Sequence, residues 1–404
     1  MIKAATRTKN FTYAIRNIVG EAKKLEAAGR NVIYLNIGDP VPYGFNTPTH
    51  LVEALTRALH DGYNGYAPST GLPEAREAVA REAVRRGLNL TPDDVVITSG
   101  ASEAADIVLT GMLEPGDEVL VPTPGYPLYT AILAKLGAHE VPYLLDPNND
   151  WQPSLEDIRK AITPRTRAII IINPNNPTGA VYNRENLLAV LALAQQAGLV
   201  VLADEVYWRL TYGEPVPPIA SLVDNSVPVI TFESMSKIYL VPGWRVGWMK
   251  LTNSHLMKEL MVAIRKIADA RLCSARLPQH TVAPALDGDH SYLEDVMRRF
   301  RERRDYSYQR INAIEGMRCT LPGGAFYLMA QMTQLGGASD EEFVLSLLRE
   351  TGILFVHGSG FGTHPEDGFF RIVYLPELDI LKTVYDQLAE FVRAWSLRPS
   401  VVSR

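Results

Sequence analysis

Between residues 48 and 252 the sequence alternates helix-length stretches with short apolar runs rich in β-branched residues. The helix-like stretches are 48–60, 73–86, 102–113, 126–136 and 184–197. The apolar runs are 95–98, 118–121, 168–172, 200–203, 227–232 and 246–251. A run such as Ala168-Ile169-Ile170-Ile171-Ile172 has no polar face, so it predicts a strand covered on both sides. Strands separated by single helices predict βαβ units, and therefore a mainly parallel sheet in an α/β fold. Ligands of such sheets sit beyond the carboxyl ends of the strands. Chemistry is expected there.

The flanks read differently. Residues 11–28 carry Ala14, Ile15, Ile18, Val19, Ala22 and Leu25 at helical spacing, and Gly29 ends that pattern. A strand is predicted over 32–37, ahead of the turn Gly38-Asp39-Pro40-Val41-Pro42. Beyond 257, long helical patterns (257–272, 292–315) give way to strands at 325–330, 353–356 and 369–373, with helices at 341–350 and 377–395. This predicts a smaller α+β unit. The expected division is an N-terminal arm over 1–47 that joins the small unit, a large domain over 48–288 and a small domain over 289–404.

Composition excludes several classes of function. A net charge of -5 leaves no basic footprint for nucleic acid or an anionic membrane surface, so any anion must be held by local arginines and backbone N–H groups. Cys273 and Cys319 are far apart and show no metal-ligand spacing, so no metal is expected. The opening residues Met1 to Arg7 lack the apolar stretch of a signal peptide, and the expected location is the cytoplasm.

The chemistry-bearing residues follow the apolar runs. Ser234-Met235-Ser236-Lys237 comes after 227–232 and is followed by Arg245. A lysine partly desolvated beside another cation loses its proton readily and can add to a carbonyl. Asn176 lies in Asn173-Pro174-Asn175-Asn176-Pro177-Thr178-Gly179, a turn string after 168–172. Asp204 ends the run 200–203; a carboxylate there needs a cation or strong donor, and a protonated pyridine nitrogen is one. Tyr207, three residues on, can donate to a phenolic oxygen together with Asn176.

Ala101 and Ser102 open a helix after 95–98, where backbone N–H groups and the helix dipole favour a phosphate, with Ser234, Ser236 and Arg245 as further donors. Tyr126 offers a ring that can stack on a heteroaromatic group or simply fill the core, and Tyr66 sits in a loop that can reach a phosphate. Arg371, flanked by Phe369, Phe370, Ile372 and Val373, needs an anion such as a substrate α-carboxylate. Together these residues point to Lys237 as a Schiff-base lysine for pyridoxal 5'-phosphate.

The same motifs resemble the fold-type I, class I aminotransferases, and the resemblance covers nearly the whole chain. It is carried by Leu35-Asn36-Ile37-Gly38-Asp39-Pro40, Pro124-Gly125-Tyr126-Pro127, Ile172 through Gly179, Asp204-Glu205-Val206-Tyr207, Ser234 through Gly247, Arg271-Leu272-Cys273, Gly323-Gly324-Ala325-Phe326-Tyr327 and Val356 through Gly362. The group it most resembles is the alanine (glutamate–pyruvate) aminotransferases of bacteria and archaea. The resemblance implies a mainly parallel seven-stranded-type sheet, pyridoxal 5'-phosphate on Lys237, and a homodimer with shared active sites. By it, Asp204 pairs the pyridine nitrogen, Asn176 and Tyr207 bind the phenolic oxygen, and Tyr126 stacks on the ring. Ala101, Ser102, Ser234, Ser236, Arg245 and a partner's copy of Tyr66 hold the phosphate.

Arg371 and Asn176 would clamp the substrate carboxylate, while Tyr13, Ile37 and Gly38 match a segment that closes over the substrate. The implied reaction moves the amino group of L-alanine to 2-oxoglutarate. An aspartate or broad-range aminotransferase shares the core motifs, and a C–S lyase would keep Lys237 and Asp204. A cofactor-sensing regulator is disfavoured, since the chain has no spare residues or basic arm for DNA. After Arg271-Leu272-Cys273 the chain departs from the group's pattern with Ser274-Ala275-Arg276-Leu277. There Arg276 is either a surface residue or a modifier of side-chain preference.

Overall fold

The computed structural model describes residues 2–10 and 18–397. Among the described residues the central sheet has eight strands. Their spatial order is Val95–Thr98, Gly247–Thr252, Val229–Ser234, Val200–Asp204, Thr166–Ile172, Glu118–Thr123, His139–Asp146 and Gln152–Pro153. Parallel ladders join the five strands from Val229–Ser234 to His139–Asp146. Gly247–Thr252 runs antiparallel to both its neighbours, and Gln152–Pro153 is antiparallel to His139–Asp146. The mainly parallel α/β sheet is therefore present, with one reversed strand inside it. That reversal brings the start of Gly247–Thr252 to the edge where the parallel strands end.

Strand alternation explains why the apolar runs are continuous. Ala168, Ile170, Ile172, Leu202, Ile230 and Phe232 face one way, against the helices Ala101–Met112, Leu128–Leu136 and Lys258–Ala270. Ile169, Ile171, Val201, Ala203 and Val229 face the other way, against Arg184–Gln196 and Leu155–Ala161. Along Thr166–Ile172 and Val200–Asp204 both faces are covered, so the runs 168–172 and 200–203 are apolar on each side.

A second, four-stranded antiparallel sheet follows the order Met317–Cys319, Tyr327–Met332, Phe369–Val373, Val356–His357. The helices Tyr292–Asn312, Asp340–Thr351 and Leu378–Ser396 share its apolar cluster. The N-terminal strand Ile33–Tyr34 pairs in parallel with Ile353–Leu354, and Val373 N donates to Leu35 O at 3.0 Å. These bonds fix the path of Asn36 to Asp39, which then runs into the cavity described below.

Several expected elements differ. Of the helix expected over 11–28, Val19–Ala27 is described and residues 11–17, with Tyr13, lie outside the described residues. The strand expected over 32–37 shrinks to Ile33–Tyr34, because the chain leaves the ladder to enter the cavity. The run 353–356 splits at Phe355 into pieces that join two different sheets. His139–Asp146 was not expected: Pro142 interrupts it, and next to a two-residue edge strand its exposed positions break the apolar run.

Candidate active site

The ends of five strands converge on one cavity of about 640 Å³. Its walls include Ala101 and Ser102 after Val95–Thr98, Tyr126 after Glu118–Thr123, and Asn176 after Thr166–Ile172. Asp204 and Tyr207 enter from Val200–Asp204, and Ser234, Ser236 and Lys237 from Val229–Ser234. Arg245 precedes the reversed strand, while Ile37, Gly38 and Arg371 come from the N- and C-terminal parts of the chain. Among the described residues the structure thus brings together every expected site residue except Tyr66; Tyr13 lies outside the described residues.

Lys237 lies in the one-turn helix Met235–Ile238, directly after its strand. Ser234 caps that turn by accepting a bond from Ser236 N at 3.2 Å. The half-buried Lys237 Nζ donates to Gly38 O at 2.5 Å and lies 5.9 Å from the Phe326 ring centroid. Burial lowers the ammonium pKa to about 8; Asp39 opposes this, and the positive charges of Arg371 and Arg245 reinforce it. Near neutral pH an appreciable fraction of this amine is therefore a free base. Gly38 is glycine for a steric reason, since a Cβ there would lie 2.1 Å from Tyr327 Oη.

Asp204 is buried and faces the helix Leu128–Leu136, from which Tyr129 Oη donates to its Oδ2 at 2.8 Å. Val206 N donates to Oδ1 at 3.3 Å, so the residue also caps its own turn. Burial raises the carboxyl to about 6, while these two donors pull it down. A carboxylate in this position favours a cationic ligand atom. Tyr207 Oη hydrogen-bonds Tyr327 Oη at 2.6 Å, and burial pushes its phenol well above its usual range. It stays a neutral donor at any ordinary pH.

The opposite end of the cavity suits a dianion. Ala101–Met112 begins at Gly100, whose φ of 86° and ψ of 166° few other residues adopt. A Cβ on Gly100 would lie 2.4 Å from Arg245 Nη2, and one on Gly247 would lie 2.6 Å from Ala101 N. Both glycines let the helix N-terminus and the guanidinium close to within ligand distance of each other. Arg245 is held by donating to Pro242 O at 3.0 Å and Ser99 O at 3.1 Å. Backbone N–H groups, two serine hydroxyls and a planar cation form the donor set of a phosphate site. A phosphate at this end, a protonated ring nitrogen at Asp204 and an aldehyde at Lys237 together match pyridoxal 5'-phosphate.

Of the three asparagines in the turn string, only Asn176 lines the cavity. Asn173 Oδ1 accepts from Tyr182 N at 3.0 Å, and Asn175 Oδ1 accepts from Thr178 N and Oγ1 at 3.1 and 2.8 Å. These two tie the turn. Asn176 Oδ1 accepts from Arg371 Nη1 at 2.8 Å, and Arg371 Nη2 donates to Asn36 O at 2.5 Å. The Arg371 guanidinium is 1% exposed and sits 4.7 Å from the ring centroids of both Tyr327 and Phe361. Two rings and two oxygens fix its plane, which suits bidentate recognition of a carboxylate.

Tyr66 is 78% exposed on the outer surface, away from the cavity. Its carbonyl accepts a 3.4 Å bond from Arg276 Nη1, so the departure residue lies beside it. Sequence reasoning missed Tyr129 and Tyr327. Tyr129 is three residues after Tyr126 at helical spacing, and Tyr327 closes the Gly323-Gly324-Ala325-Phe326-Tyr327 string, so both carried a signal. Cys273 and Cys319 are unpaired. No helix among the described residues is long and apolar enough to cross a membrane, and none of their side chains cluster as metal ligands.

Comparison with known proteins agrees with this geometry. Residues 30–384 match the family model for aminotransferase class I and II. The chain is 37% identical over 401 residues to the glutamate-pyruvate aminotransferase AlaA of Escherichia coli, covering 98% of each. It is 35% identical to the alanine aminotransferase of Mycobacterium tuberculosis, covering 96% of this chain and 92% of that one. A solved alanine aminotransferase from Pyrococcus furiosus superposes with a TM-score of 0.94 at 41% identity, covering 97% of this chain and all of the other. The chain belongs to the class I and II aminotransferases, and the resemblance read from its motifs holds.

Proposed function

We propose that this class I and II aminotransferase transfers the amino group of L-alanine to 2-oxoglutarate, with pyridoxal 5'-phosphate held on Lys237. The observation that carries the reading is the placement of Lys237, Asp204 and Arg371 around one cavity of about 640 Å³. The relatives named as alanine or glutamate-pyruvate aminotransferases support the choice of substrate. When bound, the cofactor supplies an electrophilic aldehyde and a conjugated ring that accepts the electron pair released at the substrate Cα. Asp204 keeps the ring nitrogen protonated, Tyr207 and the Asn176 amide N–H₂ donate to the phenolic oxygen, and Tyr126 covers the ring face. Ala101 N, Ser102, Ser234, Ser236 and Arg245 hold the phosphate.

Arg371 would orient the amino acid by its carboxylate, and the Lys237 amine, freed when the substrate amine takes its place, would take the proton from the substrate Cα. Ile37 and Gly38 bound the substrate side and limit water there. Tyr13 belongs to the same closing segment in this proposal. The cavity would then lie between a large domain over 48–288 and a small one over 289–404, with the arm 1–47 contributing to the small one. In the homodimer this family implies, Tyr66 reaches the phosphate of the partner copy, and Arg276 travels with it toward the same neighbouring site. The proposed location is the cytoplasm.

The test is the first half-reaction. L-Alanine added to the cofactor-loaded protein without any oxo acid should bleach the visible band and release one pyruvate per site, and 2-oxoglutarate should restore the band. Faster bleaching by L-aspartate would keep the aminotransferase and remove the alanine assignment. Failure of L-alanine to bleach the band, together with catalytic release of pyruvate, ammonia and sulfide from L-cysteine, would point instead to lyase chemistry.

A further inference from the structure

Beneath the sheet, on the face turned away from the cavity, lies a buried ionic cluster. Arg86, just past the helix Pro73–Arg85, donates from Nη1 to Glu233 Oε1 at 2.6 Å and from Nη2 to Glu205 Oε2 at 3.2 Å. Its guanidinium lies 3.7 Å from the ring centroid of Trp208, with Glu82 Oε2 at 3.8 Å. Glu233 also accepts from Lys250 Nζ at 2.7 Å and Trp248 Nε1 at 2.8 Å. Arg209 lies 3.7 Å from Glu82 and 4.5 Å from the Trp208 ring centroid. Glu82, Glu205 and Glu233 are thus matched by Arg86, Arg209 and Lys250, and the cluster is neutral as a set.

What distinguishes Arg86 is the identity of its partners. Glu205 follows Asp204, Trp208 follows Tyr207, and Glu233 precedes Ser234. Glu233 and Ser234 are consecutive in the strand Val229–Ser234, and Glu205 directly follows the strand end Asp204. In each pair a side chain fixed below the sheet therefore fixes the direction of its neighbour above. Tyr207 and Trp208 lie in the turn beyond, which Trp208 N ties to Glu205 O at 3.1 Å. We propose that Arg86 is a positioning residue for the cofactor pocket, aligning Asp204, Tyr207 and Ser234 through the three residues next to them. Apolar side chains of similar volume would hold such a layer together about as well as a buried ion set, so the cluster contributes direction more than stability. A planar fork that spans two carboxylates and stacks on an indole does this; a lysine, with a single point charge, does not. The role rests on the cofactor proposed above.

The experiment compares wild type, Arg86→Lys and a remote core control, Leu388→Ala, each stripped of cofactor and titrated with pyridoxal 5'-phosphate. Three quantities are read: the dissociation constant, the pH midpoint of the visible band and the melting temperature of the cofactor-free protein. Arg86→Lys should weaken cofactor binding at least tenfold and move the band's pH midpoint. Leu388→Ala should lower the melting temperature and leave both cofactor readouts at wild-type values. Wild-type affinity and midpoint in Arg86→Lys, whatever its melting temperature, would overturn the role.

If Arg86→Lys fails to fold, the charge-balanced pair Arg86→Gln with Glu82→Gln faces the same two readouts with the same outcomes. A wild-type protein that gives no band would overturn the cofactor reading and this role with it. That result comes before any substitution, so the two failures are distinct.

Discussion

Replacing Tyr129 by Phe removes one oxygen and changes little else, because the ring is 1% exposed and fixed in the core. The lost group is the donor that meets Asp204 Oδ2 at 2.8 Å, leaving only Val206 N at 3.3 Å on the other oxygen. A hydrogen bond to a buried charge contributes about 1.5–3 kcal/mol. At ~1.4 kcal/mol per pKa unit, the Asp204 carboxyl of the cofactor-free protein, already near 6, rises by about one to two units.

The sign follows from which form binds. Burial favours the protonated acid, while a protonated ring nitrogen requires the carboxylate. Cofactor affinity therefore falls as pH drops through the Asp204 pKa, near 6 in the wild type and one to two units higher in Tyr129→Phe. Near neutral pH the variant should bind pyridoxal 5'-phosphate about two- to tenfold more weakly, recovering toward about pH 9. The assay is a titration of the cofactor-free protein, followed by its visible band, at several values between about pH 5 and 9. Equal affinities for the two proteins across that range would refute the reasoning.

Arg371→Gln removes the fixed guanidinium and should lower kcat/KM for the amino acid by roughly 2–4 kcal/mol, on the order of a hundredfold, with the cofactor band retained. A steady-state comparison checks it, and an unchanged kcat/KM would exclude carboxylate binding there. Lys250→Met leaves Glu233 short of a buried partner and should destabilise the cofactor-free fold by about 3–5 kcal/mol in urea unfolding. Burial alone would raise the Glu233 carboxyl, but Lys250 and Arg86 outweigh it and hold it at about 2. Its folded value is depressed, so its contribution is complete above the ordinary carboxylate range and is lost as pH falls toward 2. The destabilisation of Lys250→Met should shrink over that window.

The sequence displayed the sheet because its central strands are covered on both faces, and 168–172 needed no context to be read. It displayed most of the cavity because each motif stands at the end of such a run. What it concealed depends on three-dimensional pairing. His139–Asp146 forms at the sheet's margin despite Pro142, and the reversal of Gly247–Thr252 leaves no trace in composition. Tyr129, Tyr327 and Arg86 act through contacts 75, 120 and 147 residues away, a distance no local pattern spans.

The central claim is that Lys237 holds the cofactor. Borohydride reduction of the yellow protein, followed by peptide mass analysis, reads that bond directly. A single pyridoxyl phosphate adduct on the peptide containing Lys237, absent after Lys237→Ala, is the expected result. An adduct on another lysine such as Lys250, or no adduct at all, would contradict it.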